Sequence, residues 1–288
     1  VLDIAYESVN DDAAEAVVLL HGFPYDVRAY DEVVPVLAAR GLRVVVPYLR
    51  GFGQTLFLDP GTPRSGQQAA LGQDLVDLMD ALGIGRAVVA GYDWGGRAAC
   101  IAAALFPQRV TGLVSVGGYN VQHLASAAEP SPPLWESTYW YRYYFQLERG
   151  RRGLAQHREE LCRLLWRTWS PMWSDAEQQF DHSAASLHNP DFVDVVIHSY
   201  RHRYGAVAGD PRYQELEDRL ALRPQIAVPT VVLESQADGL RNPPVAEDAG
   251  MFVGGYDQRP LPGVGHNAPQ EAPAAFAAAV LDVAALTG

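Results

Sequence analysis

Short apolar runs recur along the chain with helix-length segments between them, an alternation that predicts a mainly parallel sheet flanked by helices. The runs are Val17–Leu20, Val44–Val46, Ala87–Ala90, Leu113–Val116 and Thr230–Leu233. Between the second and third, Leu71, Leu75, Leu78, Met79 and Leu82 recur at helical spacing. Gln67–Leu82 therefore predicts a helix, stopped by Gly83 and Gly85. Pro273 followed by Ala274–Leu286 predicts a last packing helix with Pro in its first turn. The alternation breaks between Gln122 and Asp210, where helical patterns continue without a buried β-run. Five of the six tryptophans (Trp135, Trp140, Trp166, Trp169, Trp173) fall here, with Tyr139, Tyr141, Tyr143 and Tyr144. We read residues 122–210 as a helical insertion over an α/β core made of residues 1–121 and 211–288. Aromatic residues at this density serve packing first. An insertion across the C-terminal edge of a parallel sheet also covers the place where such sheets bind ligands.

Composition narrows the classes. With 48% hydrophobic and 19% charged residues among 288, extensive disorder is excluded and one large domain can bury a sizeable core. The formal net charge of −12 has the wrong sign for a nucleic-acid partner. Cys100 and Cys162 are too few for a disulfide framework or a zinc site. Apolar runs stop well short of the ~18 residues a membrane span needs, and no basic-then-apolar leader opens the sequence. The expectation is a soluble, cytoplasmic protein, monomer or homodimer, with no membrane partner, metal or cofactor.

The chemistry concentrates in a few turns. Gly91-Tyr92-Asp93-Trp94-Gly95-Gly96 follows a buried run and opens a helix over Arg97–Phe106. This is the spacing of a nucleophile elbow, with Asp where Ser is commoner; an Asp before a helix is equally a favoured N-cap. A carboxylate with an ordinary pKa of about 3.9 is ionised at neutral pH and can displace a leaving group at saturated carbon without a base. The alkyl ester so formed needs a base for its hydrolysis, and His266 in the loop Leu261–Asn267 is the candidate. Asp238, in the loop after Thr230–Leu233, is placed to orient that histidine, with Asn120, Asp210 and Glu234 as weaker candidates. After Val17–Leu20 comes His21-Gly22-Phe23-Pro24, where the backbone N–H of Phe23 can pair with that of Trp94 as an oxyanion hole. The loop Leu49–Thr55 reads as a turn. Gly83-Ile84-Gly85 precedes its strand and is no dinucleotide motif.

His21-Gly22-Phe23-Pro24, Arg50-Gly51-Phe52-Gly53, Gly91–Gly96 and Gly265-His266 stand in an order that resembles the α/β-hydrolase superfamily, and specifically its Asp-nucleophile branch. That branch includes epoxide hydrolases, haloalkane dehalogenases and haloacetate dehalogenases. The resemblance implies an α/β-hydrolase fold with a helical lid. Tyr139–Gln146 resembles the first lid-tyrosine motif of epoxide hydrolases, with Tyr141 in the functional place, and His198–Arg201 resembles the second, with Tyr200 as partner. These would hold the oxygen of a small apolar or aromatic epoxide and protonate it as the ring opens. Four tyrosines crowd residues 139–144, so Tyr141 competes with its neighbours for that place. Haloacetate dehalogenases are similar through Phe23-Pro24 and Arg97, but carry Arg after the nucleophile and a His-Trp lid pair where this chain has Trp94 and Tyr141-Arg142. Arg97 and Arg142 keep a carboxylate-binding alternative open. The expected function is an epoxide hydrolase; the alternatives are a dehalogenase with the same triad and a non-catalytic ligand-binding protein of the same fold.

Overall fold

Runs apolar on both faces of a strand are stable only between two layers of helix, and that is where the computed structural model places them; it describes residues 1–240 and 245–286. The strands are β1 (Leu2–Asp3), β2 (Tyr6–Val9), β3 (Ala16–Leu20), β4 (Arg43–Pro47), β5 (Leu56–Phe57), β6 (Ala87–Gly91), β7 (Val110–Val116), β8 (Thr230–Ser235) and β9 (Tyr256–Leu261). Seven of them form one sheet in the order β2-β4-β3-β6-β7-β8-β9, while β1 and β5 pair separately. Within the large sheet only the edge strand β2 runs antiparallel to its neighbour. β3 and β6 are buried at every residue. The register pairs Leu20 with Gly91 and Gly91 with Ser115, so the central strands end level and their loops open on one edge.

All five apolar runs are strands. The two strands of the large sheet not anticipated, β2 and β9, are its edges: YESV and YDQRPL carry polar residues at exposed and half-exposed positions and show no apolar run, and the two-residue strands β1 and β5 are too short to leave one. The helices in chain order are α1 (Val33–Ala38), α2 (Gln68–Ala81), α3 (Asp93–Leu105), α4 (Pro133–Thr138), α5 (Trp140–Gln146), α6 (Glu148–Gln156), α7 (Arg158–Trp169), α8 (Ala176–Ser183), α9 (Phe192–Arg203), α10 (Gln214–Ala221), α11 (Ala268–Glu271) and α12 (Pro273–Ala285). Helices α2, α3 and α10 pack together, and α1 packs with α12. α3 begins at Asp93 itself, four residues earlier than expected. Residues 122–210 hold α4–α9 and 3-10 turns and no strand.

The loop Leu49–Thr55 is more than a turn. Buried Arg50 forms a bidentate pair with Asp74 of α2 at 2.6 and 2.7 Å and donates to the Ser65 carbonyl at 2.6 Å. Gly53 N–H reaches the Ser186 carbonyl, and the Asn189 amide donates to Gly53 and Thr55 carbonyls, which ties the helical stretch to the sheet edge. Among the described residues no helix is long and apolar enough to cross a membrane.

The close approach of α3 to β3 leaves no room for a side chain, since any Cβ at Gly95 would collide with the Leu20 carbonyl. Gly95→Ala should therefore destabilise by about 3 kcal/mol or more. Gly83→Ala, where φ is +66° but the space is open, should cost only about 1–2 kcal/mol. Urea unfolding of the two variants measures the difference, and equal losses would contradict this account.

Candidate active site

The last residue of β6 is followed by a turn in which Asp93 takes φ +49°, a left-handed conformation that costs a non-glycine residue about 1–3 kcal/mol. Tyr92, not Asp93, occupies the N-cap position, and no side chain caps the helix. The Asp93 carboxylate is instead turned away from α3: its Oδ1 accepts the Phe23 backbone N–H at 2.8 Å. Gly22 allows that approach, because a Cβ there would lie 2.7 Å from the Asp93 Cβ. The Phe23 loop is held by His21, whose Nε2 accepts Leu49 N–H at 3.0 Å while its Nδ1 bonds the Gly22 carbonyl at 2.9 Å. Burial lowers the His21 pKa to about 4, so the ring is neutral and serves as a strut.

On the other side of Asp93, the His266 Nε2 stands 3.7 Å from its Oδ2. The His266 Nδ1 bonds Asp238 Oδ2 at 2.8 Å. Asn120, Asp210 and Glu234 are engaged elsewhere: Asn120 donates to Ser115 Oγ and the Val116 carbonyl, Asp210 pairs with Arg212, and Glu234 accepts from Gln258. Burial alone would push the Asp93 carboxyl up, but the nearby positive charge of His266, the charge of Arg97 and the Phe23 N–H outweigh it and bring it down to about 2. For His266 burial would lower the pKa, and the charge and hydrogen bond of Asp238, with the charge of Asp93, reverse that and raise it well above its ordinary value.

A wall of aromatic rings stands over these groups. Tyr141 of α5 and Tyr200 of α9 are both buried and meet edge to face with ring centres 5.5 Å apart. Tyr200 in turn lies 5.6 Å from Phe23 and 6.2 Å from Trp94. The neighbouring tyrosines face other ways. Tyr143 is exposed and bonds Glu136, Tyr139 lies under the Arg142 guanidinium, and Tyr144 packs toward Gly153 and Trp140. Arg142 Nε donates to the Tyr141 hydroxyl at 3.4 Å. Trp94 is fully buried and its Nε1 has no partner among the described residues.

Sequence reasoning passed over the C-terminus of α7. The Trp169 carbonyl accepts both Gly239 N–H and His266 N–H, at 2.8 and 3.2 Å, and Ser170 Oγ accepts His266 N–H at 3.1 Å while donating to Glu271. Glu271 also accepts Gly265 and Asn267 N–H. One helix end thus clamps the loops of both Asp238 and His266; the only signal was a glycine beside each of those two residues. Among the described residues no group of three or more His, Cys, Asp or Glu is placed to hold a metal ion.

This strand-loop arrangement, with a carboxylate in the elbow, a histidine after the last strand and a carboxylate after the one before it, defines a class. Residues 15–259 match the alpha/beta hydrolase fold family, and the chain belongs to it. Within that family several of its relatives are named epoxide hydrolases. It is 45% identical to a crystal structure of a candidate epoxide hydrolase from Klebsiella pneumoniae subsp. pneumoniae MGH 78578, with a TM-score of 0.97 over 99% of this chain and 94% of the other. It is 32% identical over 161 residues to epoxide hydrolase B of Mycobacterium tuberculosis, covering 50% of this chain and 43% of that one. It is 38% identical over 101 residues to epoxide hydrolase 2 of Siraitia grosvenorii, covering 35% and 31%. Those two matched segments make up less than half of each curated relative. The resemblance read from the motifs holds for the family and for relatives named epoxide hydrolases.

The electrostatics of the histidine give a direct test. His266 should remain an imidazolium through pH 7 in the free protein, and Asp238→Asn should lower its titration midpoint. Nitrogen-15 imidazole shifts followed by NMR report both, and a ring already neutral at pH 6 would refute the charge arrangement. Because the folded pKa is raised, the imidazolium's contribution to stability is complete below about 6.5 and is lost as pH rises through the folded value. Asp93 acts in the opposite sense: its contribution is present above about 3.8 and is lost as pH falls through about 2.

Proposed function

We propose that the protein hydrolyses an epoxide to a vicinal diol through an ester on Asp93. The observation that carries this reading is an ionised carboxylate in the elbow, one oxygen tied to Phe23 N–H and the other facing a His266–Asp238 pair, beneath two buried tyrosines. With Oδ1 engaged, Oδ2 is the atom free to attack the epoxide carbon from behind. The C–O bond of the ring breaks, and the leaving oxygen takes a proton from Tyr141 or Tyr200. Arg142 donates to the Tyr141 oxygen, which directs that hydroxyl's own proton elsewhere. A phenol suits this work, since an alkoxide is a far stronger base than a phenolate.

His266 then takes a proton from water, which adds to the Asp93 carbonyl carbon. The oxyanion forms on Oδ1, where the Phe23 N–H already sits, with the Trp94 N–H at the start of α3 as second donor. Collapse breaks the Cγ–Oδ2 bond: the departing diol oxygen takes the proton that His266 drew from water, and the proton left on the Asp93 carboxyl makes good the one the tyrosine gave up, which regenerates the carboxylate and the phenol. Asp238 holds the imidazole in register and balances its charge. Residues 122–210 act as the lid that brings both tyrosines over the nucleophile. A second reading, halide displacement by the same triad, draws on the buried unpartnered Trp94 Nε1, an N–H donor of the kind a halide accepts. Parallel assay of diol formation from epoxides and halide release from haloalkanes and haloacetates separates the two.

The two half-reactions can be divided by mutation. His266→Gln should still be alkylated and then stall, so intact-mass measurement should show protein plus one substrate mass; a variant that forms no adduct yet keeps activity removes His266 from the mechanism. Tyr141→Phe or Tyr200→Phe should each slow alkylation by about ten- to a hundredfold, the worth of one hydrogen bond to a partly charged oxygen. Ester hydrolysis should change much less, and rapid-quench kinetics resolve the two steps. Unchanged alkylation in the double variant would discard the tyrosine pair.

A further inference from the structure

Beside the tyrosine pair, guanidinium groups from three helices gather without a carboxylate among them. Arg97 stands four residues after Asp93 on α3, Arg142 on α5 and Arg203 at the end of α9. Arg97 and Arg203 are buried, 8% and 9% exposed, and Arg142 is half-buried. Among the described residues none of the three has an acidic oxygen within 4 Å. Their direct contacts are neutral, and the charges of Asp93 and Glu217 reach Arg97 only from beyond 4 Å. Arg203 lies 4.6 Å over the Tyr200 ring and Arg142 lies 3.7 Å over the Tyr139 ring. With its amide oxygen turned toward them, Gln122 accepts from Arg203 Nε at 2.7 Å and from Arg97 Nη2 at 3.2 Å. Among the described residues the buried Arg97 Nε has no hydrogen-bond partner. Glu217, a buried glutamate whose charge bears on Arg97, is already engaged by Ala69 N–H and the Gln67 and Gln68 amides.

Burying cations without counter-charges is costly, and like charges gathered together add to the cost. Burial and then the charge of Arg203 bring the Arg97 pKa down to about 9. One neutral amide oxygen cannot compensate groups that together present many N–H donors. An arrangement of this kind is complete only with an anion. A cavity of about 350 Å³ runs up to it, lined by Gln122, Tyr139, Arg142, Arg203 and Tyr204. Of its acidic members, Glu129 is exposed, and Glu136 is taken up by Ser131 N–H and Tyr143 OH and acts on Arg142 only from beyond 4 Å.

We infer that the substrate is an epoxide bearing a carboxylate, which Arg142 and Arg203 bind, with Arg97 beside them, while Tyr141 and Tyr200 hold the ring oxygen. The inference rests on the proposed epoxide chemistry and names its substrate class. The spacer between ring and carboxylate is short, because Arg142 bonds Tyr141 directly and Arg203 covers Tyr200. Planar guanidinium groups suit a carboxylate through paired N–H donors. The aromatic wall takes the apolar part, so the wholly apolar substrate expected from that wall gives way to one that is anionic at one end. A positive cluster also offsets the repulsion between the ionised Asp93 and an incoming anion.

The test compares trans-3-phenylglycidate with trans-1-phenylpropylene oxide, in which a methyl group replaces the carboxylate. Wild type should favour the acid, chiefly through KM. Arg203→Gln should cut the acid-to-neutral ratio of kcat/KM by about ten- to a hundredfold, the worth of a charged hydrogen bond, and Arg203→Lys should recover part of it. The ratio cancels losses common to both substrates. Arg142→Gln, at a less buried position, is the second variant should Arg203→Gln fold poorly. Cinnamate, which has the carboxylate but no epoxide, should inhibit competitively and raise the thermal midpoint of wild type but not of Arg203→Gln. A preference for the neutral epoxide, or a ratio unchanged in both Gln variants, overturns the inference. No diol from either epoxide with cinnamate binding still lost in the variants keeps the anion site and removes the epoxide reading. No diol and no cinnamate binding removes both.

Discussion

The strained conformation of Asp93 is the constraint on which the rest of the site depends. A left-handed φ at a non-glycine residue persists only where its surroundings leave no alternative. Here β6 ends level with β3, α3 starts at once, and the contact of Gly95 with the Leu20 carbonyl fixes how closely the helix must follow the sheet. The carboxylate is thereby thrown out of the helix and toward the Phe23 loop, where one N–H receives it. That loop is positioned in turn by neutral His21, which bridges the ends of β3 and β4. Stability stored in the sheet and its flanking helices maintains the strain.

The residues between β7 and β8 are mechanically part of this site. The α7 terminus holds the loops of Asp238 and His266, Trp166 Nε1 reaches the Pro24 carbonyl beside Phe23, and Asn189 holds the Phe52–Thr55 turn. The loops after β3, β4, β8 and β9 thus each have a backbone group hydrogen-bonded to the helical stretch above them. A side chain lost from α7 is expected to disturb the histidine and its acid together, because the Trp169 carbonyl serves both.

The sheet was legible because parallel strands covered on both faces must be continuously apolar, as in Ala16–Leu20 and Ala87–Gly91. Its edges were not, because Tyr6–Val9 and Tyr256–Leu261 meet solvent and need no such pattern. Asp93, His266 and Asp238 stood out because each sits in a glycine-marked loop after a strand. Which lid tyrosine faces inward was undecidable from spacing: α5 is only Trp140–Gln146, and its orientation is set by contacts with α6 and α9 that no local pattern encodes. Arg203 gave no signal either. An arginine at a helix C-terminus reads as a favourable dipole partner on the surface, and only the fold shows it buried against Tyr200.

The charges around His266 also order the proposed cycle. In the free protein the imidazole lies between two carboxylates, Asp238 at 2.8 Å and Asp93 at 3.7 Å, and both favour its protonated form. An imidazolium cannot act as a base, but the first step does not need one. It needs an ionised nucleophile, which the same positive charge helps to maintain. Alkylation turns Asp93 into a neutral ester and removes one of the two charges that raised the histidine's pKa. Burial, the largest influence on the ring and the one opposing protonation, then meets only Asp238. The proton becomes easier to lose at the point in the cycle when a base is required. In the proposed cycle, forming the ester thus prepares its own hydrolysis through electrostatics, with no further catalytic group.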